Sequence, residues 1–299
     1  VNLQQLRYVI ALSETQSFTK AAETLFIVQS ALSQQVRKLE DELGVQLFER
    51  TTRAVSPTPA AEALLPLFHQ VLAGVEQIKA DAQAMSGTIA GRLTVGIMEV
   101  PSESLDVAAL MATFHARYPD VRVTLRSGGS DQLVRSIRDR KLDVAIVGSN
   151  NIASAGQVSF SPLFVESLVA VFPAGHPLAA RRSVTLQELA ELPFIDFPPG
   201  YGLRHETDRG FTHLQRRVAF EVSRVEEVLQ FTRRDLGVAL LPESVARARA
   251  DDDPELAIVL LRDTDLHRQV NLVTHGGTGS AALRAFVHCV NDHVGHRGR

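Results

Sequence analysis

FIVQSALSQQVRKLEDELG, residues 26–44, has two helical faces of opposite character. At about 100° per residue, Leu32, Val36, Leu39 and Leu43 fall in one narrow apolar stripe. Ser30, Gln34, Arg37 and Asp41 fall on the far side, with Ser33 and Lys38 on its flanks. Taken alone, such a face is as well explained by simple solvation. Its neighbours say more. Before it, Ser17 can cap a helix running through Ala21, Ala22 and Leu25. After it, QLFERTTRAVSPT (46–58) reads as a small hairpin carrying Arg50 and Arg53. Helix, short turn, amphipathic helix and basic hairpin together are the layout of a winged helix-turn-helix. An α-helix fits the DNA major groove, and its N-terminal side chains reach base edges first. Glutamine can pair with adenine, arginine with guanine, and serine with base edges or phosphate.

Working outward, Leu3, Leu6 and Ile10 suit a further helix at the start of the chain. Charge is no guide here. Arg7, Lys20, Arg37, Lys38, Arg50 and Arg53 are balanced by Glu14, Glu23, Glu40, Asp41, Glu42 and Glu49. A DNA-binding segment of this composition depends on where its cations sit, not on how many there are. Residues 1–58 are the expected DNA-binding domain. Residues 59–86 follow as one long helix, capped by Thr58 and opened by Pro59, with Pro66 early enough to bend it rather than end it. Leu64, Phe68, Val71, Val75, Ile78, Ala82 and Met85 recur at steps of 4 and 3, a heptad seam that implies dimerisation through this helix. The alternative is a helix packed on its own domain.

Residues 87–91 read as a hinge, and residues 92–299 alternate strand and helix patterns, the α/β signature. The strand candidates are RLTVGI, VRVTL, LDVAIVG, SLVAVF, PFIDF, AFEV, GVALL, AIVLL and QVNLVT. A region of this size with short connections is expected to form two lobes around a cleft. Lobe I would take about 92–161 and 268–299, and lobe II about 162–267. Three loops follow strands and open helices: MEVPSES (98–104), RSGGSDQ (126–132) and PPGYGLR (198–204). Free N–H groups and small hydroxyls there suit an anion. Ser102, Ser130, Gly202 and Arg204 are the candidate ligand contacts, with Tyr201 as a wall; ordinary helix capping is the competing reading for the serines. A small organic acid is the expected ligand, although Glu99 would repel an acid or welcome an amine.

The 299 residues are 45 % hydrophobic and 22 % charged, with a net charge of −3, as in an ordinary globular protein of two or three domains. No apolar run reaches membrane-spanning length, and VNLQQLRYVIALSE lacks the features of a signal peptide. Cys289 is the only cysteine, which favours a reducing compartment; the cytoplasm is expected. GGTGSA (276–281) imitates a dinucleotide fingerprint but leaves no room for the returning strand, so it reads as a turn and helix cap. His288, Cys289, His293 and His296 lack zinc-site spacing. No cofactor, metal site or catalytic set is expected. The rival readings are a solute-binding module with a helical extension and an α/β enzyme using the cleft.

SFTKAAETLFIVQSALSQQVRKLEDELGVQLFERTTR resembles the N-terminal signature of the LysR-type transcriptional regulators. The resemblance rests on Phe18, Ala21, Ala22, Leu25, Gln29, Ser30, Ala31, Leu32, Ser33, Leu39, Glu40, Leu43, Gly44, Leu47, Phe48 and Arg50. It continues more weakly through RYPDVRVTL, KLDVAIV, GHPLA and LGVALLPES. It implies a winged helix-turn-helix, a long linker helix making an antiparallel dimer contact, and a two-lobed α/β effector domain similar to periplasmic binding proteins. It further implies tetramers on pseudo-palindromic T-N11-A sites and a small-molecule inducer, with RNA polymerase a candidate further partner. Gln29, Ser30, Ser33, Gln34 and Arg37 would read DNA, with Lys38 beside them and Arg50 and Arg53 facing phosphate from the wing. Four positions depart from the pattern. Val28 stands where the family usually has Ser or Thr, Gln34 where it often has Arg, Ala61 where it often has Gly, and Glu99 near a usual Ser or Thr.

Overall fold

A computed structural model describes residues 1–50, 55–85, 88–100, 102–148, 157–250, 253–276 and 279–297. The chain divides into two compact units, Val1–Gly87 forming most of the first and Thr88–Arg138 with Leu142–Arg299 the second.

The first unit opens with α1 (Leu3–Thr15), whose start is fixed by a capping box between Asn2 and Gln5. Helix α2 (Phe18–Thr24) is capped by Ser17, and α3 (Gln29–Leu43) ends at Gly44. Gly44 sits at φ +69°, a left-handed conformation that favours glycine. The apolar stripe of α3 behaves as its spacing requires: Leu32, Val36 and Leu39 are fully buried against Leu6, Val9 and Leu12 of α1 and the paired alanines of α2. Strands β1 (Phe48–Arg50) and β2 (Val55–Pro57) form the expected hairpin. The buried carboxylate of Glu40 accepts from the main-chain N–H groups of Leu47 and Phe48, at 2.8 and 3.2 Å, tying the hairpin to α3. Thr58 caps α4 (Pro59–Met85), which runs through Pro66 without a break.

The heptad seam on α4 divides in two. Phe68 is buried and Leu64 half-buried in the core of the first unit, whereas Val71 and Ile78 are 47 % and 71 % exposed, and Ala82 is exposed too. The first turns therefore serve the helix's own domain, and only the later turns present an uncovered apolar face.

The second unit runs β3 (Gly91–Met98), α5 (Val107–Arg117), β4 (Val121–Gly128), α6 (Ser130–Arg138), β5 (Val144–Val147) and β6 (Val158–Pro173). It continues with β7 (Ser183–Val184), α7 (Leu186–Ala190), β8 (Pro193–Asp196), α8 (Gly202–Gly210), β9 (Arg217–Glu221) and α9 (Val225–Arg233). It closes with β10 (Ala239–Pro242), α10 (Glu243–Ala250), β11 (Leu256–Leu261), β12 (His267–His275) and α11 (Ala281–Arg297). Every strand read from the sequence is present. Parallel β3, β4 and β5, joined by β12, carry one core with α5, α6 and α11. A second core lies around β8, β10, β11 and α8–α10. Strand β6 belongs to both. Its first part pairs with β12, and its last residues, from Leu168, lie between β10 and β11.

Two details differ from the readings above. Strand β6 begins at Val158, well before SLVAVF; over its first half exposed and half-buried residues mix irregularly and Pro162 interrupts, which hides the strand period. Helix α5 is capped by Asp106, so Ser102 does not start it; the Ser102 hydroxyl instead accepts from Ser104 N in a local turn. Cys289 is core, buried with Phe286 and Val290, and Ser280 caps α11 as the turn-and-cap reading requires.

Candidate functional site

With one face of α3 buried, the other is turned to solvent. Gln29, Ser30, Gln34, Arg37 and Lys38 are exposed and Ser33 is half-buried. The N-terminal tip is unusual in being apolar. Phe26 is 95 % exposed at φ +56°, and Val28, 68 % exposed, is the N-cap of α3 with no side-chain cap hydrogen bond. The side-chain oxygens of Asn2, Ser17, Thr58, Asp106 and Thr185 all make such bonds at their own helices. Arg50 belongs to β1; Arg53 lies outside the described residues.

In the second unit, a cleft of about 200 Å³ lies where the two cores meet. It is lined by the ends of β3 (Met98, Glu99, Val100) and β4 (Gly128, Gly129), by Ser130 and Gly148, by the start of α8 (Tyr201, Gly202, Leu203), and by Arg268. Its walls touch. A Cβ at Gly202 would lie 2.2 Å from the Gly148 carbonyl oxygen and 2.8 Å from Ser130 Oγ, so only glycine fits there. Asp131 N donates to Gly200 O at 3.0 Å, and Asp131 Oδ1 lies 2.9 Å from His205 Nε2.

The Tyr201 hydroxyl donates to Glu99 Oε2 at 2.9 Å. Burial, opposed by a contact with Ser223 and reinforced by Glu99, raises the Tyr201 pKa, so the hydroxyl keeps its proton at neutral pH. The Ser130 hydroxyl accepts from Gly148 N at 3.3 Å.

At the base of the cleft lies an ion pair with almost no exposure. The side chains of Arg268 and Glu166 are 1 % and 4 % exposed, and they face each other across β12 and β6. Arg268 donates through Nε and Nη2 to Glu166 Oε2, at 3.0 and 2.5 Å, and through Nη1 to Val100 O at 3.1 Å. Ser102 and Ser244 donate to the other carboxylate oxygen at 2.7 and 2.8 Å. Burial lowers the Arg268 pKa and Glu166 counters the effect.

Residues 3–62 match the family model of the bacterial regulatory helix-turn-helix protein, lysR family, and residues 86–295 match the LysR substrate binding domain. The chain belongs to the LysR family. An uncharacterized HTH-type transcriptional regulator of Escherichia coli K12, YnfL, is 30 % identical over 298 residues, covering 97 % of this chain and 98 % of that one. Full-length OxyR from Pseudomonas aeruginosa, a substituted variant, superposes with a TM-score of 0.77 at 26 % identity, over 98 % of this chain and 94 % of that one. Full-length CbnR, solved in complex with its target DNA, shares the fold with a TM-score of 0.67 at 22 % identity, over 98 % and 100 %.

As a LysR-family protein it is a ligand-responsive, DNA-binding transcriptional regulator. Of its candidate ligand contacts, Ser130, Tyr201 and Gly202 meet in the cleft. Ser102 does not line it and instead supports Glu166 beneath. Arg204 is turned away: its guanidinium bonds Asp208, Glu221 and the Phe197 carbonyl oxygen, with Asp196 3.6 Å off. The buried pair was not among the sequence candidates. Its only sequence trace is one Glu inside a long apolar strand and one Arg at the head of another. Among the described residues no helix is long and apolar enough to cross a membrane, and no group of three or more His, Cys, Asp or Glu is placed to hold a metal ion.

Proposed function

We propose that this LysR-family regulator reads DNA through Gln29, Ser30, Ser33, Gln34 and Arg37, with Lys38, Arg50 and Arg53 on phosphate. It binds as paired heads at pseudo-palindromic promoter sites of T-N11-A spacing. The observation that carries this is the exposed polar face of α3 standing opposite a fully buried apolar stripe. The uncovered later turns of α4 supply a surface on which two chains can pair, with tetramers as the working assembly. A small effector occupies the cleft around Ser130, Tyr201 and Gly202 and favours one arrangement of the assembly over another, shifting the preferred half-site spacing. The protein acts in the cytoplasm, has no catalytic role, and works by presenting or withholding promoter DNA to RNA polymerase.

In-vitro selection of the purified protein on a random duplex pool, at fixed moderate salt, tests the core of this reading. Enrichment of an inverted repeat with T-N11-A spacing is expected. Enrichment of isolated, unpaired half-sites would remove the paired-head geometry. A folded protein that selected nothing would place the fault in α3.

A further inference from the structure

We infer that the effector is an amino-carboxylate, its ammonium group held by Glu99 and its carboxylate by Ser130 and the first N–H groups of α8. The inference rests on the cleft being the effector site and specifies what that site selects.

Two opposite chemistries share one small space. On one wall Glu99 is an exposed carboxylate. The only hydrogen bond its side chain makes among the described residues is the one from Tyr201, at Oε2, and no described cation lies within ion-pair distance of it. That bond positions the carboxylate and leaves Oε1 to accept from a ligand. A plain carboxylic acid would bring a second negative charge beside it, with Arg224 and the paired Arg268 offsetting the repulsion only in part.

The opposite wall is made of donors. Ser130, almost fully buried, accepts from Gly148 N and donates its hydroxyl proton to no other described residue. Helix α8 has no side-chain cap, so the N–H groups of its first turn, which begins with the lining residues Gly202 and Leu203, have no capping side chain as acceptor. A plain amine would meet these donors with no acceptor of its own. Arg268 adds a positive charge below, already paired with Glu166, which lessens rather than abolishes its preference for an anion nearby. A zwitterion satisfies both walls at once.

The test uses the full chain, calorimetry and thermal melting. The probes are the twenty proteinogenic L-amino acids, β-alanine and 4-aminobutyrate, each beside its desamino acid. At least one amino acid should bind, about tenfold or more tighter than its desamino partner. Glu99→Gln, which keeps an acceptor for Tyr201, should remove that advantage, and Ser130→Ala should weaken the amino acid and its desamino acid alike. A desamino acid that matches its parent, an advantage that survives Glu99→Gln, or a whole panel without binding overturns the inference. The first two results with Ser130→Ala still damaging leave the cleft as the effector site. Binding indifferent to both substitutions faults the cleft itself.

Discussion

Val28 gives the DNA-binding head a defect that can be repaired and measured. At the N-cap of α3 its carbonyl already accepts from Ala31 N and Leu32 N, at 3.1 and 3.2 Å, but its side chain gives no acceptor to the first turn. Because the side chain is 68 % exposed, Val28→Thr loses little packing and gains a cap of about 1 kcal/mol. For a unit of this size that corresponds to a rise of roughly 4–8 °C in the melting temperature of the DNA-binding head. If the tip of α3 enters the groove as proposed, the same hydroxyl can bond a phosphate; a further ~1 kcal/mol tightens operator binding about fivefold. Val28→Asp separates the two effects. It caps at least as well as threonine and suits the positive end of the helix, so it should stabilise, yet its charge opposes phosphate and should weaken DNA binding. Calorimetric melting and titration of one fixed duplex at one salt concentration measure both. Unchanged melting in both variants would refute the capping argument. Equal affinity of wild type and Val28→Thr would refute the phosphate contact.

Arg268→Met should destabilise the effector unit by about 3–5 kcal/mol in urea unfolding, because Glu166 would be left as a buried charge without its partner, and Glu166→Gln in the same chain should recover part of the loss. Asp143 predicts a pH dependence. Burial raises its pKa, with the bond from Thr94 N at 2.7 Å and nearby Arg92 opposing the shift. A raised carboxyl pKa stabilises the fold below the ordinary carboxylate range, a contribution lost as pH climbs through the folded value. Asp143→Asn, which keeps the acceptor for Thr94, should therefore be as stable as wild type or more so at neutral pH. That advantage should disappear as pH falls below the ordinary Asp value; a constant offset across the whole range would count against the reasoning.

Helix α3 was legible because its period, the Ser17-capped helix before it and the hairpin after it agree within some forty residues. The strands were legible as short β-branched runs. The first half of β6 was not: VSFSPLFVE mixes exposed and buried positions without strict alternation and contains Pro162. The lining of the cleft was only half legible, and sequence separation explains why. Ser130, Tyr201 and Gly202 could be found because each sits in a loop that opens a helix. Arg268 and Glu166 are 102 residues apart, and nothing local marks either as paired. Arg204 shows the converse. Its position in a promising loop suggested a ligand contact, and only Asp208, one turn along the same helix, could have been read as a local partner; Glu221, which also holds it, comes 17 residues later. Local patterns report on helix starts and strand faces. They do not report which charges meet across a sheet.

The location of the buried pair also limits how the effector unit can respond to its ligand. Strand β6 runs from one core into the other, and Glu166 lies just before it changes neighbours, from β12 to β10 and β11. Arg268 faces it from β12, while Ser102 and Ser244 reach the same carboxylate from the loop after β3 and from α10. Breaking this set would leave a buried charge uncompensated at several kcal/mol, more than the roughly 1–3 kcal/mol of a typical allosteric coupling. The lobes should therefore move about the pair and not through it. The contacts that give way should be the weaker ones at the rim: Asp131 with Gly200 and His205, and Tyr201 with Glu99. Hydrogen exchange with and without effector measures this directly. Amides at residues 166–168 and 268–270 should stay equally protected in both states, while those at 129–133 and 200–205 change. Protection lost at the pair on ligand binding would show that the hinge lies there instead, and that the ligand supplies far more energy than a cleft of this size should give.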